Sequence, residues 1–142
     1  MVMLMKIKFI PFNENVQLPI RAHDSDTGAD IFMLEDGVIK PGQTLVIPAG
    51  FGIEIPNGYS ARLQVRTSVA KYGIMIQGCA IDASYTGEIH IILHNISLNT
   101  FTWKKGDRLG YIEVYPTVYP QFVTEYNMRQ KREKDAFGST GK

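Results

Sequence analysis

Apolar and polar residues alternate along most of this chain, which is the pattern of half-buried β-strands. The alternation is clearest over residues 59–66, where the odd-numbered positions are apolar or aromatic and the even-numbered positions are polar. It recurs over residues 51–55 and 89–94, and shorter apolar runs between them are bounded by Gly, Pro, Asn and Asp. No amphipathic pattern continues for more than about three helical turns. The pattern therefore predicts an all-β domain with a sandwich or barrel architecture.

Turn residues predict how some of these strands connect. Pro41 and Gly42 separate two apolar runs and indicate a strand, a tight turn and a second strand. A turn over residues 104–107 predicts that the strand at 101–103 pairs with the strand at 108–114. A turn at Gln77 and Gly78 predicts that residues 71–77 form a hairpin with the strand that follows.

The composition is that of one globular domain. The chain has 142 residues, of which 44% are apolar and 20% charged, and a domain of this size buries on the order of 70% of its unfolded surface. A single cysteine, Cys79, allows no internal disulfide, and no Cys/His set has zinc-ligand spacing. The formal net charge of +1 gives no field that would attract a polyanion. A single nucleotide is therefore a better match than a nucleic-acid polymer.

The N-terminal ten residues do not form a signal-peptide core, because Lys6 and Lys8 interrupt the apolar run. No segment approaches the 18 apolar residues that span a membrane. We therefore expect a cytoplasmic protein without a membrane partner, or, if the source is a virus, one in the cytoplasm or nucleus of its host.

Asp82 is the first candidate for a catalytic group. It follows the apolar pair Ala80 and Ile81 and precedes Tyr85 by three residues, so we expect it at a strand end beside an aromatic ring. A carboxylate in that position can act as a general base next to a flat wall for a ring-shaped substrate. The alternative is an ordinary turn, since Asp, Ser and Gly are common turn residues.

Two further positions carry charge in apolar surroundings. Arg66, Thr67 and Ser68 follow the strand at 59–65 and can hold phosphate oxygens, although Thr67 and Ser68 can equally open a helical turn. Asp30 is flanked by Ala29 and Ile31, so its carboxylate must point outward or find a partner inside.

The composition changes near residue 125, which divides the chain into a β-domain at 1–124 and an arm at 125–142. The arm has few apolar residues and charges of both signs, and we expect it to need a partner for order. Its last residues are small, hydroxyl-bearing and Gly-rich, so they could wrap phosphates while Phe137 stacks on a ring. A P-loop is excluded because Asp135 occupies its first Gly position.

Five of these segments, in their order along the chain, resemble the motifs of the trimeric dUTPase family. They are residues 28–31 (GADI), 66–68 (RTS), 80–88 (AIDASYTGE), 106–110 (GDRLG) and 137–141 (FGSTG), with Arg132 ahead of the last. The resemblance implies a distorted jelly-roll-like β-barrel that assembles as a homotrimer with active sites shared between subunits. It also implies hydrolysis of dUTP to dUMP and pyrophosphate.

The resemblance assigns roles to individual residues. Asp82 would activate the water that attacks the α-phosphorus, and Tyr85 would pack under the deoxyribose and exclude a 2′-hydroxyl. Cys79 and Ile81 would lie beside the nucleoside, with the backbone of residues 74–81 selecting uracil. The implied phosphate contacts come from Arg66, Thr67 and Ser68.

The arm would close over the nucleotide, with Phe137 on the uracil and Arg132 on the terminal phosphate. Gly138, Ser139 and Thr140 would add contacts from the arm. Mg²⁺ would be held mainly by the phosphates and water, without a protein ligand set, and Asp30 would order Arg66 or nearby water.

Two alternatives remain open at this point. A dCTP deaminase-like enzyme shares the implied architecture, and Glu88 is its only nearby candidate for moving protons at the base. A nucleotide-sensing regulatory protein with a protein partner is the other. It is suggested by Tyr111, where the family usually has Gln, and by the charged residues 129–135.

Overall fold

The structure, a computed structural model, describes residues 4–77 and 80–125 and is built almost wholly of strands. The elements in chain order are β1 (Lys8–Pro11), β2 (Ala29–Ile31), β3 (Gly37–Ile39), β4 (Thr44–Pro48), β5 (Phe51–Glu54), β6 (Tyr59–Val65), α1 (Thr67–Ala70), β7 (Ile74–Ile76), β8 (Ala80–Ile81), β9 (His90–Asn95), β10 (Phe101–Trp103) and β11 (Gly110–Pro116). The predicted all-β class is confirmed. None of the described residues forms a helix long and apolar enough to cross a membrane.

The strands of the described residues form four antiparallel sheets that pack around one core. The largest has the order β2-β11-β6-β8, the next β4-β9-β7, and two pairs, β1-β5 and β3-β10, complete the fold. Because most neighbours in a sheet are distant in the sequence, the chain crosses between sheets repeatedly, as in a jelly roll.

The two predicted strand pairings within residues 71–114 are wrong. β10 pairs with β3, and β11 pairs with both β2 and β6, so neither edge of β11 is left for β10. The Trp103 ring packs directly over Gly37, where an added Cβ would lie 2.0 Å from the ring, and this contact favours β3 as the partner. Likewise β7 pairs with β9 whereas β8 pairs with β6, so the segments on either side of Gln77 diverge into different sheets.

The core is mostly aliphatic and encloses the amide of Asn95. Its most buried apolar side chains belong to Phe51, Ile31, Ile39, Ile74, Ile91 and Leu93. Asn95, at the end of β9, is fully buried among them. Its Nδ2 donates to the carbonyl oxygens of Ile39 and Asn99, and its Oδ1 accepts from the backbone N–H and hydroxyl of Ser97. This buried amide therefore ties the end of β9 and the turn after it to β3.

An ion pair marks the register of the central sheet. Arg62 on β6 is directly opposite Glu113 on β11, and their side chains are hydrogen-bonded. The hydrogen bond to Glu113, followed by the attraction between the charges, raises the pKa of the Arg62 guanidinium.

In the same sheet Ala61 pairs with Ile81. This pairing determines where Asp82 lies relative to β6.

Candidate active site

Asp82 is the first residue after β8 and begins a short turn. The turn is closed by a hydrogen bond from the Tyr85 backbone N–H to the Asp82 carbonyl oxygen, 3.0 Å long. The Asp82 side chain is exposed, and its carboxylate forms no hydrogen bond or ion pair with the described residues. It is therefore free to bind a ligand or to accept a proton.

This carboxylate opens into a cavity of ≈ 250 Å³. The lining residues are Ala80, Ile81, Asp82, Tyr85, Glu88, Ile89, His90 and Ile92. Tyr85 is fixed as one wall, because its hydroxyl donates to the Glu88 carbonyl oxygen at 2.5 Å. The Glu88 carboxylate in turn accepts a hydrogen bond from the Gly50 backbone N–H at 3.0 Å. Apolar and aromatic walls with one free carboxylate suit a nucleoside better than a phosphate group.

The loop that carries Asp82 and Tyr85 lies directly on β5. A Cβ at Gly52 would be 2.4 Å from the Gly87 carbonyl oxygen and 2.8 Å from that of Thr86. Both contacts are with backbone, which cannot move aside as a flexible side chain can. Gly52 is therefore a residue that the sequence analysis missed. Its signal in the sequence was a glycine inside an alternating strand, which often marks a close backbone approach.

A second charged cluster lies at the opposite end of β6. The Asp30 carboxylate is 3.3 Å from Nη1 of Arg108 and 3.6 Å from Nε of Arg66. Its side chain is only 16% exposed, and it is balanced by these two guanidinium groups. Arg66 also donates to the Arg108 carbonyl oxygen at 2.9 Å. Two cations share one carboxylate here, so the cluster keeps a net positive charge that can bind phosphate oxygens.

Thr67 and Ser68 extend this cluster. They open the short helix α1, as the structural alternative predicted, and both are exposed. Arg108 was not among the predicted site residues. Two features of the sequence could have revealed Arg108. It lies next to Asp107 in the motif-like segment at 106–110, and the acidic Asp30 needs a cationic partner.

The two clusters are far apart within one chain. Because Ala61 pairs with Ile81 in an antiparallel ladder, Asp82 lies next to Ser60, six residues before Arg66. At about 3.3 Å per residue the two ends of this stretch are roughly 20 Å apart. The Arg66 guanidinium is held at its own end of β6 by Asp30 and the Arg108 carbonyl oxygen, so one chain does not bring it next to Asp82.

Tyr111 packs against the first of the motif-like segments. A Cβ added to Gly28 would lie 2.0 Å from the Tyr111 ring, so the ring occupies the space that glycine leaves. Tyr111 is paired with Asp30 on β2 and with Gln64 on β6. The bulky ring thus fits here because residue 28 has no side chain.

Several predicted site residues lie outside the described residues. They are Cys79, Arg132, Phe137, Gly138, Ser139 and Thr140. Of the other predicted residues, Asp82, Ile81 and Tyr85 line one cavity, while Asp30, Arg66, Thr67 and Ser68 lie at the other cluster. In residues 4–77 and 80–125, no three His, Cys, Asp or Glu side chains come together in a way that could hold a metal ion.

Two phage dUTPases are among the solved structures whose fold is similar to that of this chain. A mutant dUTPase from phage phi11 of Staphylococcus aureus has a TM-score of 0.80 at 24% identity, covering 88% of this chain and 99% of that one. A mutant of the Staphylococcus bacteriophage 80alpha dUTPase, with dUpNHpp, has a TM-score of 0.81 at 24% identity, covering 96% and 99%. The 80alpha protein is described as controlling transfer of virulence genes by a proto-oncogenic G protein-like mechanism. These likenesses establish the fold.

The sequence comparison is more specific. The deoxyuridine 5′-triphosphate nucleotidohydrolase of Clostridium tetani is 38% identical over 143 residues, covering 97% of each chain. That of Ehrlichia canis is 35% identical over 144 residues, covering 95% of this chain and 94% of the other. The dUTPase family profile matches residues 14–141. This chain belongs to the dUTPase family.

Proposed function

We propose that this chain hydrolyses dUTP to dUMP and pyrophosphate, with Asp82 as the general base that activates the attacking water. The observation that carries the proposal is the free carboxylate of Asp82 at a nucleoside-sized cavity whose wall is the fixed ring of Tyr85. A carboxylate without a competing hydrogen bond can orient a water and take its proton as the oxygen attacks the α-phosphorus. Membership of the dUTPase family supports the same reaction.

The phosphates are assigned to the second cluster. Arg66 and Arg108 supply guanidinium groups already oriented by Asp30, and Thr67 and Ser68 supply exposed hydroxyls. In this arrangement Asp30 orients the cations without contacting the substrate. Charge-assisted hydrogen bonds from arginine are well suited to this task because they match the geometry of phosphate oxygens.

We propose that Mg²⁺ enters on the triphosphate and is held mainly by its phosphate oxygens and water. The guanidinium groups of Arg66 and Arg108 would balance the remaining phosphate charge. When bound, the ion would neutralise phosphate oxygens and hold them in one geometry. The phi11 relative is described as coordinating a structural Mg(II) ion.

Residues outside the described ranges complete the proposed nucleotide-binding site. We assign Cys79 to the side of the sugar, and Arg132, Phe137, Gly138, Ser139 and Thr140 to an arm at 125–142 that closes over the substrate. The assignments in the arm rest on the resemblance of the segment at 137–141 to the family's fifth motif, and that of Cys79 rests on its place just before the segment at 80–88.

The distance along β6 supports an active site that is shared between chains. The backbones at Asp82 and Arg66 are roughly 20 Å apart within one chain, so we assign the two residues that contact one dUTP to different subunits. The segment after β11 also favours association, since Val118 and Phe122 are 85% and 92% exposed. Burying these side chains against another subunit would remove a large apolar area from water. We therefore propose the homotrimer of this family as the active form.

A complementation experiment tests the enzyme and its shared site together. The variants Asp82→Asn and Arg66→Gln are each expected to be nearly inactive in pyrophosphate release from dUTP with Mg²⁺. Refolded together in equal amounts, they should recover about a quarter of the wild-type rate, because that fraction of sites receives an intact Asp82 and an intact Arg66 from different chains.

The controls for this experiment are the same variants mixed without unfolding, and wild type refolded alone. Recovery that appears only after joint refolding shows that subunits must be exchanged. No recovery from a mixture that refolds and assembles normally would contradict the shared site. A wild-type chain that releases no pyrophosphate from dUTP would contradict the proposed function itself.

Replacing Gly52 with Ala should damage catalysis through the loop it supports. The new methyl group would push the backbone of Thr86 and Gly87 outward and move Tyr85 and Asp82 with it. A displacement of about 1 Å in a reacting group can cost about a hundredfold in rate, so kcat/KM for dUTP should drop at least tenfold. The measurement is steady-state pyrophosphate release at saturating Mg²⁺.

The matched control is Gly37→Ala, which also introduces a close contact, with the Trp103 ring, but away from the Asp82 loop. Both variants should lose stability, and only Gly52→Ala should lose activity per folded molecule. An equal loss of activity in the two variants would count against a positioning role for Gly52.

Deamination of dCTP is not proposed. The Glu88 carboxylate accepts the Gly50 backbone N–H and therefore has a structural partner of its own. The regulatory interpretation, with a protein partner, stays a prediction.

A further inference from the structure

His90 is a side chain of the cavity that no motif of the sequence analysis includes. It is the first residue of β9, and strand alternation places it on the outer face together with Ile92, while Ile91 points into the core. Both outward residues line the cavity that contains Asp82. His90 is exposed, and it forms no hydrogen bond or ion pair with residues 4–77 or 80–125.

The hydrogen bonds around the cavity leave few polar side chains available. Among the described residues, the polar side chains that line it are those of Asp82, Tyr85, Glu88 and His90. The Tyr85 hydroxyl is held by the Glu88 carbonyl oxygen, and the Glu88 carboxylate is held by the Gly50 N–H. Only Asp82 and His90 remain without a partner in the described part of the chain.

These two groups have complementary chemistry. An ionised carboxylate only accepts hydrogen bonds, whereas an imidazole has at least one N–H to donate in either tautomer. The nucleoside portion of dUTP presents carbonyl, ring and hydroxyl oxygens as acceptors, which Asp82 cannot serve. The remaining walls, from Ala80, Ile81, Ile89 and Ile92, are apolar and suit the base and sugar.

We infer that His90 is a substrate-binding residue that donates a hydrogen bond from its imidazole to an oxygen of the nucleoside portion of the nucleotide. The inference rests on the proposed function for the identity of the ligand. His90 then contributes to binding of the nucleotide, and Asp82 is the residue that takes the proton of the attacking water.

His94 provides a matched control on the same strand. It lies four residues further along the same outer face of β9, and its Nδ1 is 2.7 Å from the Thr44 hydroxyl oxygen. It does not line the Asp82 cavity. A change at His94 therefore alters a histidine of the same sheet without touching the ligand.

The experiment measures dUMP binding by calorimetry and dUTP turnover by pyrophosphate release for wild type, His90→Ala, His90→Gln and His94→Ala. Loss of one hydrogen bond should raise the dUMP Kd of His90→Ala roughly three- to tenfold. The KM for dUTP should rise with it, while kcat changes less than about twofold, since uniform binding is what is lost. His90→Gln keeps an N–H donor and should recover much of the affinity, and His94→Ala should match wild type.

Three outcomes would overturn the inference. They are equal dUMP affinity in His90→Ala and His94→Ala, a drop in kcat without a change in Kd, and a His90→Gln variant as weak as His90→Ala. An unchanged melting temperature verifies the fold of each variant. If wild type bound dUMP but released no pyrophosphate from dUTP, the proposed function would fail while the effect of His90 on dUMP affinity could still be measured.

Discussion

Asp82→Asn is expected to lower kcat for dUTP hydrolysis by about 10²- to 10⁴-fold, the usual contribution of a general base. The amide has nearly the same size as the carboxylate but cannot take the proton of the attacking water. Because Asp82 forms no hydrogen bond or ion pair with the other described residues through its carboxylate, the fold should not depend on its charge. The dUMP Kd should therefore change much less than kcat, which calorimetry and pyrophosphate release measure separately.

The matched control for that variant is Asp24→Asn. Asp24 is also an exposed carboxylate, but it lines a different groove, beside Arg21 and Asp26. It should keep the wild-type rate. An Asp82→Asn enzyme that retained more than about a tenth of the wild-type kcat would rule out Asp82 as the base.

The largest expected loss of stability comes from Asn95→Ala. The substitution removes the amide partner of the buried Ile39 carbonyl oxygen and of the partly buried Ser97 N–H, whereas the Asn99 carbonyl oxygen keeps the Ser97 hydroxyl as a donor. An unpaired buried group costs about 1–3 kcal/mol, so we expect the free energy of unfolding to drop by about 2–4 kcal/mol. Denaturant unfolding at a fixed protein concentration measures this change, because the proposed assembly would make stability depend on concentration.

Asn15→Ala is the control for the buried amide. Asn15 is exposed, and its backbone N–H, which the substitution keeps, donates to the Asn13 side chain. Its replacement should change stability by less than about 0.5 kcal/mol. A loss below about 1 kcal/mol for Asn95→Ala would show that water or a rearranged Ser97 replaces the amide.

The fold class could be predicted from the sequence because strand alternation is a local property. The pattern at residues 59–65 matches β6, and the alternation at 89–94 matches β9 except at its ends. Pairing could not be predicted in the same way, since any amphipathic strand can pair with several others. The contact of Trp103 with Gly37 joins β10 to β3 across more than 60 residues, and no local turn signal reports such a contact.

The candidate site was predictable where its residues are close in sequence. Asp82 and Tyr85 lie three residues apart and line the same cavity. Arg108 was missed because its contact with Asp30 joins positions 78 residues apart. His90 belongs to none of the motif-like segments, and strand alternation indicates only that its side chain points outward. It is exposed, but its place in the cavity depends on how β9 and the loop after β8 come together, which periodicity does not describe.

The separation of Asp82 from Arg66 along β6 has a consequence for how duplicated copies of the gene could diverge. Each chain would contribute its carboxylate to one active site and its arginine cluster to another, so a defect in either half would not remove both functions from the assembly. After a gene duplication, one copy could lose Asp82 and the other Arg66, and mixed assemblies would still turn over substrate. The separation of the two clusters along β6 would thus allow an assembly of identical chains to evolve into one that is active only when both kinds of chain are present.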